Sequence, residues 1–222
     1  PNTKVHCLDL PGIGTEWDRQ SPRSASLIMD DIRLRWLSLS KEHSGTWGLF
    51  SISFGSMLAL SWTSRYPQDF AAQVLINSSA ANISFPWLRL KPEALLSIAK
   101  MQILNPEQRE LEILKQTTNR PEENREELAR TNVSFALSRE KLAKVASAQL
   151  QAALSFQSPS EVKVPTLVLC SKGDRFTNYK CSLALSQKLQ TSLEIHPTAG
   201  HDLPMDDSSW ICEKMQFWLS SI

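Results

Sequence analysis

The sequence predicts a parallel α/β sheet with helices on both faces and a helical segment inserted between two of its strands. Three observations carry this prediction. Short apolar runs alternate with longer amphipathic stretches, the trace that βα units leave in a chain. Each run is mostly apolar throughout, as expected of strands covered on both sides. Between Asn82 and Ser160 the strand pattern stops, and helical stretches rich in Glu, Arg, Lys and Gln follow one another. At 222 residues, with 41% apolar and 21% charged side chains, the chain has the composition of one large globular domain or one domain with an elaboration.

The elements follow in order. Strands are expected at Lys4–Leu10, Thr46–Ile52, Ala72–Asn77, Thr166–Cys170 and Ser192–His196. Helices are expected at about Ser24–Ser40, Phe54–Tyr66, Asn178–Leu189 and Asp206–Ser220. In the last, Trp210, Ile211, Lys214, Phe217 and Trp218 form a stripe at three- and four-residue spacing. Inside the insertion, Asn105-Pro106-Glu107 and Arg120-Pro121-Glu122 read as helix starts, with proline in the first turn. The nearly all-polar run Pro121–Arg130 reads as a solvated helix face. The chain thus divides into a core of residues 1–81 and 161–222 and an insertion of residues 82–160.

Composition excludes several function classes. A net charge of +1 offers no global field for nucleic acid or anionic lipid. No apolar run approaches the roughly 18–20 residues that span a bilayer, and Pro1-Asn2-Thr3-Lys4 is no secretory signal. Cys7, Cys170, Cys181 and Cys212 are scattered, without metal-ligand spacing, and read as reduced thiols of a cytoplasmic protein. Cys7 and Cys170 sit in strand-like runs, where a free cysteine is a small core residue. No cofactor or metal is expected: there is no phosphate-binding loop, and Gly12-Ile13-Gly14-Thr15-Glu16-Trp17 fails the dinucleotide pattern.

The sharpest local feature is the stretch Thr46–Leu60, where an apolar strand runs into Ser51-Ile52-Ser53-Phe54-Gly55 and a helix pattern starts at once. A serine on a strained strand-to-helix turn exposes its oxygen, and small residues two before and two after allow that close approach. The helix aims its positive end at the turn, and the Phe54 N–H becomes an oxyanion donor. Alone, the string also fits a tight turn without chemistry.

WGLFSISFGSMLALSWTSRYPQDFAAQVLINSS resembles the elbow, following helix and next strand of the α/β-hydrolase superfamily, with Ser51 where most members have glycine. Val164–Phe176 resembles the superfamily's V-P-T-L-x-x-x-G-x-x-D segment, which nominates Asp174 as the acid. Leu193–Pro204 is similar to its base-bearing loop, which nominates His201. The order Ser53, Asp174, His201 is that of the superfamily. His6 and His43 precede the serine and His196 lies at a strand end, so structural or surface roles suit them. Asp202, Asp206 and Asp207 suit loop and cap roles.

Val5–Gly14 resembles the superfamily's fourth strand and D-x-P-G-x-G turn, which members usually precede with about 30–50 residues that supply a second oxyanion N–H. The resemblance therefore leads us to expect residues before Pro1; a fragment or a natural start are the alternatives. It implies a serine hydrolase that cleaves an ester or thioester of a small, apolar acyl substrate through an acyl-enzyme. The insertion is then a helical cap, with Phe85, Trp87, Leu88, Phe135 and Phe156 as candidate lining residues. A non-catalytic ligand- or partner-binding relative and an acyltransferase with the same residues are the alternatives. The oligomeric state is not legible.

Overall fold

The computed structural model describes residues 3–133 and 139–222. Four parallel strands, β1 (Gly48–Ile52), β2 (Ala72–Ile76), β3 (Thr166–Ser171) and β4 (Ser192–His196), lie in the order β1-β2-β3-β4. Phe50 faces Val74 and Val74 faces Leu167, while Cys170 faces Ile195. Helix α1 (Ala25–Glu42) precedes the sheet, and α2 (Phe54–Arg65) connects β1 to β2. Between β2 and β3 the regular elements among the described residues are helices only. These are α3 (Pro86–Arg89), α4 (Pro92–Lys100), α5 (Pro106–Thr117), α6 (Glu122–Asn132) and α7 (Arg139–Ser155). Helix α8 (Lys180–Leu189) leads to β4, and α9 (Leu203–Asp206) and α10 (Ser208–Leu219) end the chain.

Two cores, one on each sheet face, follow from the two-residue period of the strands. Leu75 and Val168 point into the side packed by α1, α2 and α8, with Ile28, Met29, Leu60 and Leu185. Val74, Ile76, Leu167 and Leu169 point to the other side, against Leu203, Ile211 and Trp218. Each such side chain contributes roughly 1.5–3 kcal/mol on burial. Trp36, Trp62 and Phe70 form an aromatic knot with centroids 5.0–5.5 Å apart. The cap of α5 is built as the sequence suggests: Gln108 N–H donates to Asn105 Oδ1 (2.9 Å), with Pro106 at the first helical position. Helix α6 is largely exposed, in keeping with its polar sequence.

Three expectations fail. Lys4–Leu10 is not a strand, because a strand exists only where a neighbouring edge supplies a ladder, and the segment joins none. Side chains hold it instead: Arg35 Nη2 donates to the Asp9 carbonyl (2.7 Å), and His6 stacks near His43 (4.7 Å) and Trp47 (5.5 Å). Cys7, on that unpaired segment, is exposed rather than in the core, whereas Cys170 on β3 is buried. Phe217 leaves the stripe of α10 and is exposed; Ile211 and Trp218 carry the packing.

Candidate active site

Ser53 stands between β1 and α2 with φ 54° and ψ −117°, a conformation that costs a non-glycine residue on the order of 1–3 kcal/mol. Hydrogen bonds hold it there. Its N–H donates to the Ile76 carbonyl (2.7 Å), and its own carbonyl accepts from Ser56 N (3.1 Å) and Ser78 Oγ (3.3 Å). The two small positions of the turn face each other: a Cβ on Gly55 would lie 3.8 Å from that of Ser51. Ser51 fits without crowding, and its hydroxyl donates to the Val74 carbonyl (3.0 Å). Phe54 opens α2, so its N–H has no acceptor within the helix and sits at the positive end of the dipole, beside Ser53.

The structure brings Asp174 and His201 together. The Asp174 side chain is buried, and its Oδ2 lies 2.7 Å from His201 Nδ1. A carboxylate only accepts, so in the neutral ring this contact places the proton on Nδ1 and the lone pair on Nε2. Oδ1 accepts from the N–H groups of Phe176 (2.7 Å) and Thr177 (2.9 Å), which fixes the carboxylate plane. An imidazole held this way can accept a proton at Nε2. Ser53 and His201 line the same cavity, although no hydrogen bond joins Ser53 Oγ to the ring among the described residues. Such bonds tighten when substrate arrives.

Residues that sequence reasoning missed hold these loops. Asn77, at the end of β2 with φ 47°, accepts from Ser171 N–H (2.9 Å) and donates to the His201 carbonyl (2.8 Å), tying β2, β3 and the histidine loop. Its one sequence signal is an amide directly after a central strand. The link after α5 is a second tie. Asp202 N–H donates to the Thr117 carbonyl (2.6 Å), and Asn119 Nδ2 donates to the carbonyls of Thr198 (2.7 Å) and Gly173 (3.2 Å). Asp206 takes the Thr118 hydroxyl, the Asn119 N–H and the Gly200 N–H. Two glycines permit this closeness: a Cβ on Gly173 would lie 2.2 Å from the Thr198 carbonyl, and one on Gly200 2.7 Å from that of Thr117.

The other candidates take structural roles. His196 Nδ1 accepts from the Thr198 (3.2 Å) and Ala199 (2.8 Å) N–H groups, and its Nε2 faces Asp207 (3.3 Å). Asp202 and Asp207 cap α9 and α10 through the N–H groups of Met205 and Trp210. Burial raises the Asp202 carboxyl above its ordinary range, and it pushes the Cys170 thiol up to about 12, with Asp174 adding to the effect.

Beside Ser53 and His201 opens a cavity of about 980 Å³, walled by α4, α5, α7 and the loop of Phe176. The expected lining is corrected. Phe85 and Trp87 stack on one another at 4.8 Å on the exposed surface, Leu88 is outside the lining, and Phe156 is buried in the core beside α1 and α2. Phe135 lies outside the described residues. The apolar wall instead comes from Leu90, Ile98, Met101, Ile113, Leu150 and Leu154. Sequence spacing did not reveal them because which face of each inserted helix turns inward is set by how the helices pack.

Crevices at the carboxyl ends of parallel strands are where open α/β sheets bind ligands. Ser53 after β1, Asp174 after β3 and His201 after β4 lie there in the order of an α/β-hydrolase, and that is the fold of this chain. Solved structures agree. The fold is similar to that of 2-hydroxy-6-oxo-6-phenylhexa-2,4-dienoate hydrolase from Rhodococcus sp. strain RHA1 (TM-score 0.76, 18% identity, 96% of this chain and 78% of that one). It is similar as well to a meta-cleavage product hydrolase from Pseudomonas fluorescens IP01 (TM-score 0.76, 16% identity, 96% and 78%). A thermophilic esterase from Thermogutta terrifontis shares it too (TM-score 0.67, 19% identity, 96% and 78%). The chain belongs to the serine aminopeptidase S33 family, whose model matches residues 1–208. No curated protein matches it significantly.

Proposed function

We propose that this protein is a serine hydrolase acting on an ester or thioester. The observation that carries the reading is the 2.7 Å contact of buried Asp174 with His201 Nδ1, in a cavity that Ser53 also lines. Ser53 Oγ attacks the acyl carbonyl while His201 Nε2 takes its proton, and Asp174 holds the tautomer and stabilises the imidazolium. The Phe54 N–H binds the oxyanion of the tetrahedral intermediate. Collapse expels the alcohol or thiol, which takes the proton from His201. Water, deprotonated by His201, then attacks the acyl-enzyme and releases the acid and Ser53. Residues 82–160 act as the cap over this site.

An ester fits the cavity better than the N-terminus of a peptide does. A free α-ammonium needs an anionic partner, yet among the described residues the lining holds Arg89 and Arg109 and no carboxylate. The four unpaired cysteines support a reducing, cytoplasmic home. Among the described residues, no helix is long and apolar enough to cross a membrane.

Intact mass before and after a fluorophosphonate probe, with Ser53→Ala as control, tests the reading. One adduct that the variant lacks is expected. A folded protein that takes no adduct would refute the mechanism and leave the cavity as a binding site. An ester panel run with and without an acceptor alcohol separates hydrolysis from acyl transfer.

A further inference from the structure

Arg109, on the cavity-facing side of α5, is 4% exposed, and its Nη1 is buried without a hydrogen-bond partner. Among the described residues the nearby carboxylates are held elsewhere, Glu112 by Lys100 and Ser97 and Glu107 by Arg130. Glu110, the neighbouring acid, bonds Asn132; burial raises its carboxyl above the usual range, outweighing the lowering effects of that bond and of the Arg109 charge. Arg89, the second arginine of the lining, contrasts with it. Its three nitrogens donate to Ser79 Oγ (3.3 Å) and the carbonyls of Leu154 (2.7 Å) and Ala153 (2.5 Å), so it is consumed in fastening α3 to the end of α7.

A buried guanidinium nitrogen left without an acceptor is expensive, and an anion entering the cavity would relieve that cost. The same cavity holds a second unused donor, the buried Nε2 of Gln149 on α7. Arg109, Ile113 and Thr117 recur every four residues on α5, so the cation lies on the helix face that lines the cavity and runs toward the histidine loop.

We infer that the cavity takes a carboxylate-bearing ester or thioester, with the carboxylate seated on Arg109 and assisted by Gln149. The assignment rests on the hydrolase reading for the ester and on Arg109 and Gln149 for the charge. The carboxylate belongs either to the acyl part or to the leaving group.

Two substrate pairs separate these sources: mono-4-nitrophenyl glutarate against 4-nitrophenyl pentanoate, and 4-acetoxybenzoate against its methyl ester. The wild type should favour the charged member of one pair by about 10- to 100-fold in kcat/KM, and Arg109→Met should bring that ratio near one. A wild-type ratio near or below one in both pairs overturns the assignment. Binding is read apart from turnover in Ser53→Ala, where millimolar glutarate or benzoate should raise Tm, and in Ser53→Ala with Arg109→Met, where neither should. If no ester is cleaved, the hydrolase reading falls and this binding arm alone decides the anion site. Free Arg109→Met should melt no lower than wild type, because the change removes the unsatisfied Nη1 from the interior. A variant that fails to fold would show that Arg109 holds the structure, and would overturn the inference.

Discussion

Replacing Asp174 by asparagine changes one atom, and the structure dictates where that atom goes. The Phe176 and Thr177 N–H groups both donate to Oδ1, so the amide oxygen must keep that place. The amide nitrogen then falls where Oδ2 stood, 2.7 Å from His201 Nδ1, and presents a donor. Two donors cannot face each other, so the ring moves its proton to Nε2 and loses the lone pair that would take the Ser53 proton. A tautomer fixed the wrong way costs such a site about 10⁴-fold in rate, equivalent to about 5.4 kcal/mol of barrier. Stability should fall much less, by about 1–2 kcal/mol, since both backbone donors keep an acceptor and only the charge assistance is lost. The assay is the second-order rate of fluorophosphonate labelling, alongside the melting temperature. A folded Asp174→Asn variant labelled within tenfold of wild type would refute the assignment of Asp174.

Gly173→Ala places a Cβ 2.2 Å from the Thr198 carbonyl and 2.7 Å from that of Ala199, backbone atoms that cannot rotate aside. We expect labelling to drop at least about 100-fold as the acid and base loops separate, with Tm lower by several degrees; wild-type values for both would refute it. The Cys170 thiol, lifted from 9.0 to about 12 chiefly by burial, gives a pH prediction. Its folded pKa is the higher one, so between about 9 and 12 the native state binds more protons than the unfolded state, and stability falls as pH rises. Below that window the contribution is complete. Urea midpoints from pH 8 to 11 should decline more steeply in wild type than in Cys170→Ala, and parallel curves would contradict this.

The sheet was legible because β2 and β3 are buried on both faces, which leaves a continuous apolar run that few other structures require. The Ser53 turn was legible because strained geometry restricts its neighbours to Ser51 and Gly55. Lys4–Leu10 has the same apolar texture, yet texture cannot supply a neighbouring edge. Asn77 and Asn119 are single amides whose worth lies in carbonyls more than 50 residues away, and no local pattern marks such a bond. Arg109 was hidden for a related reason. In sequence it is one charge in a polar helix, and only packing shows that it faces inward with its Nη1 unpartnered.

The bonds from Thr117, Thr118 and Asn119 to Asp202, Asp206, Thr198 and Gly173 bear on how far the protein is modular. They leave from the middle of residues 82–160 and end on the loops that carry Asp174 and His201. Arg120 and Arg175 add further links, to the carbonyls of Met205 and Thr118. The segment 82–160 is therefore no interchangeable cassette. A chimera that exchanged it with a relative's at its two chain junctions would sever this seam and leave both loops with unmatched polar groups. A functional graft must bring residues 117–120 together with Gly173, Gly200 and Asp206 as one co-inherited unit.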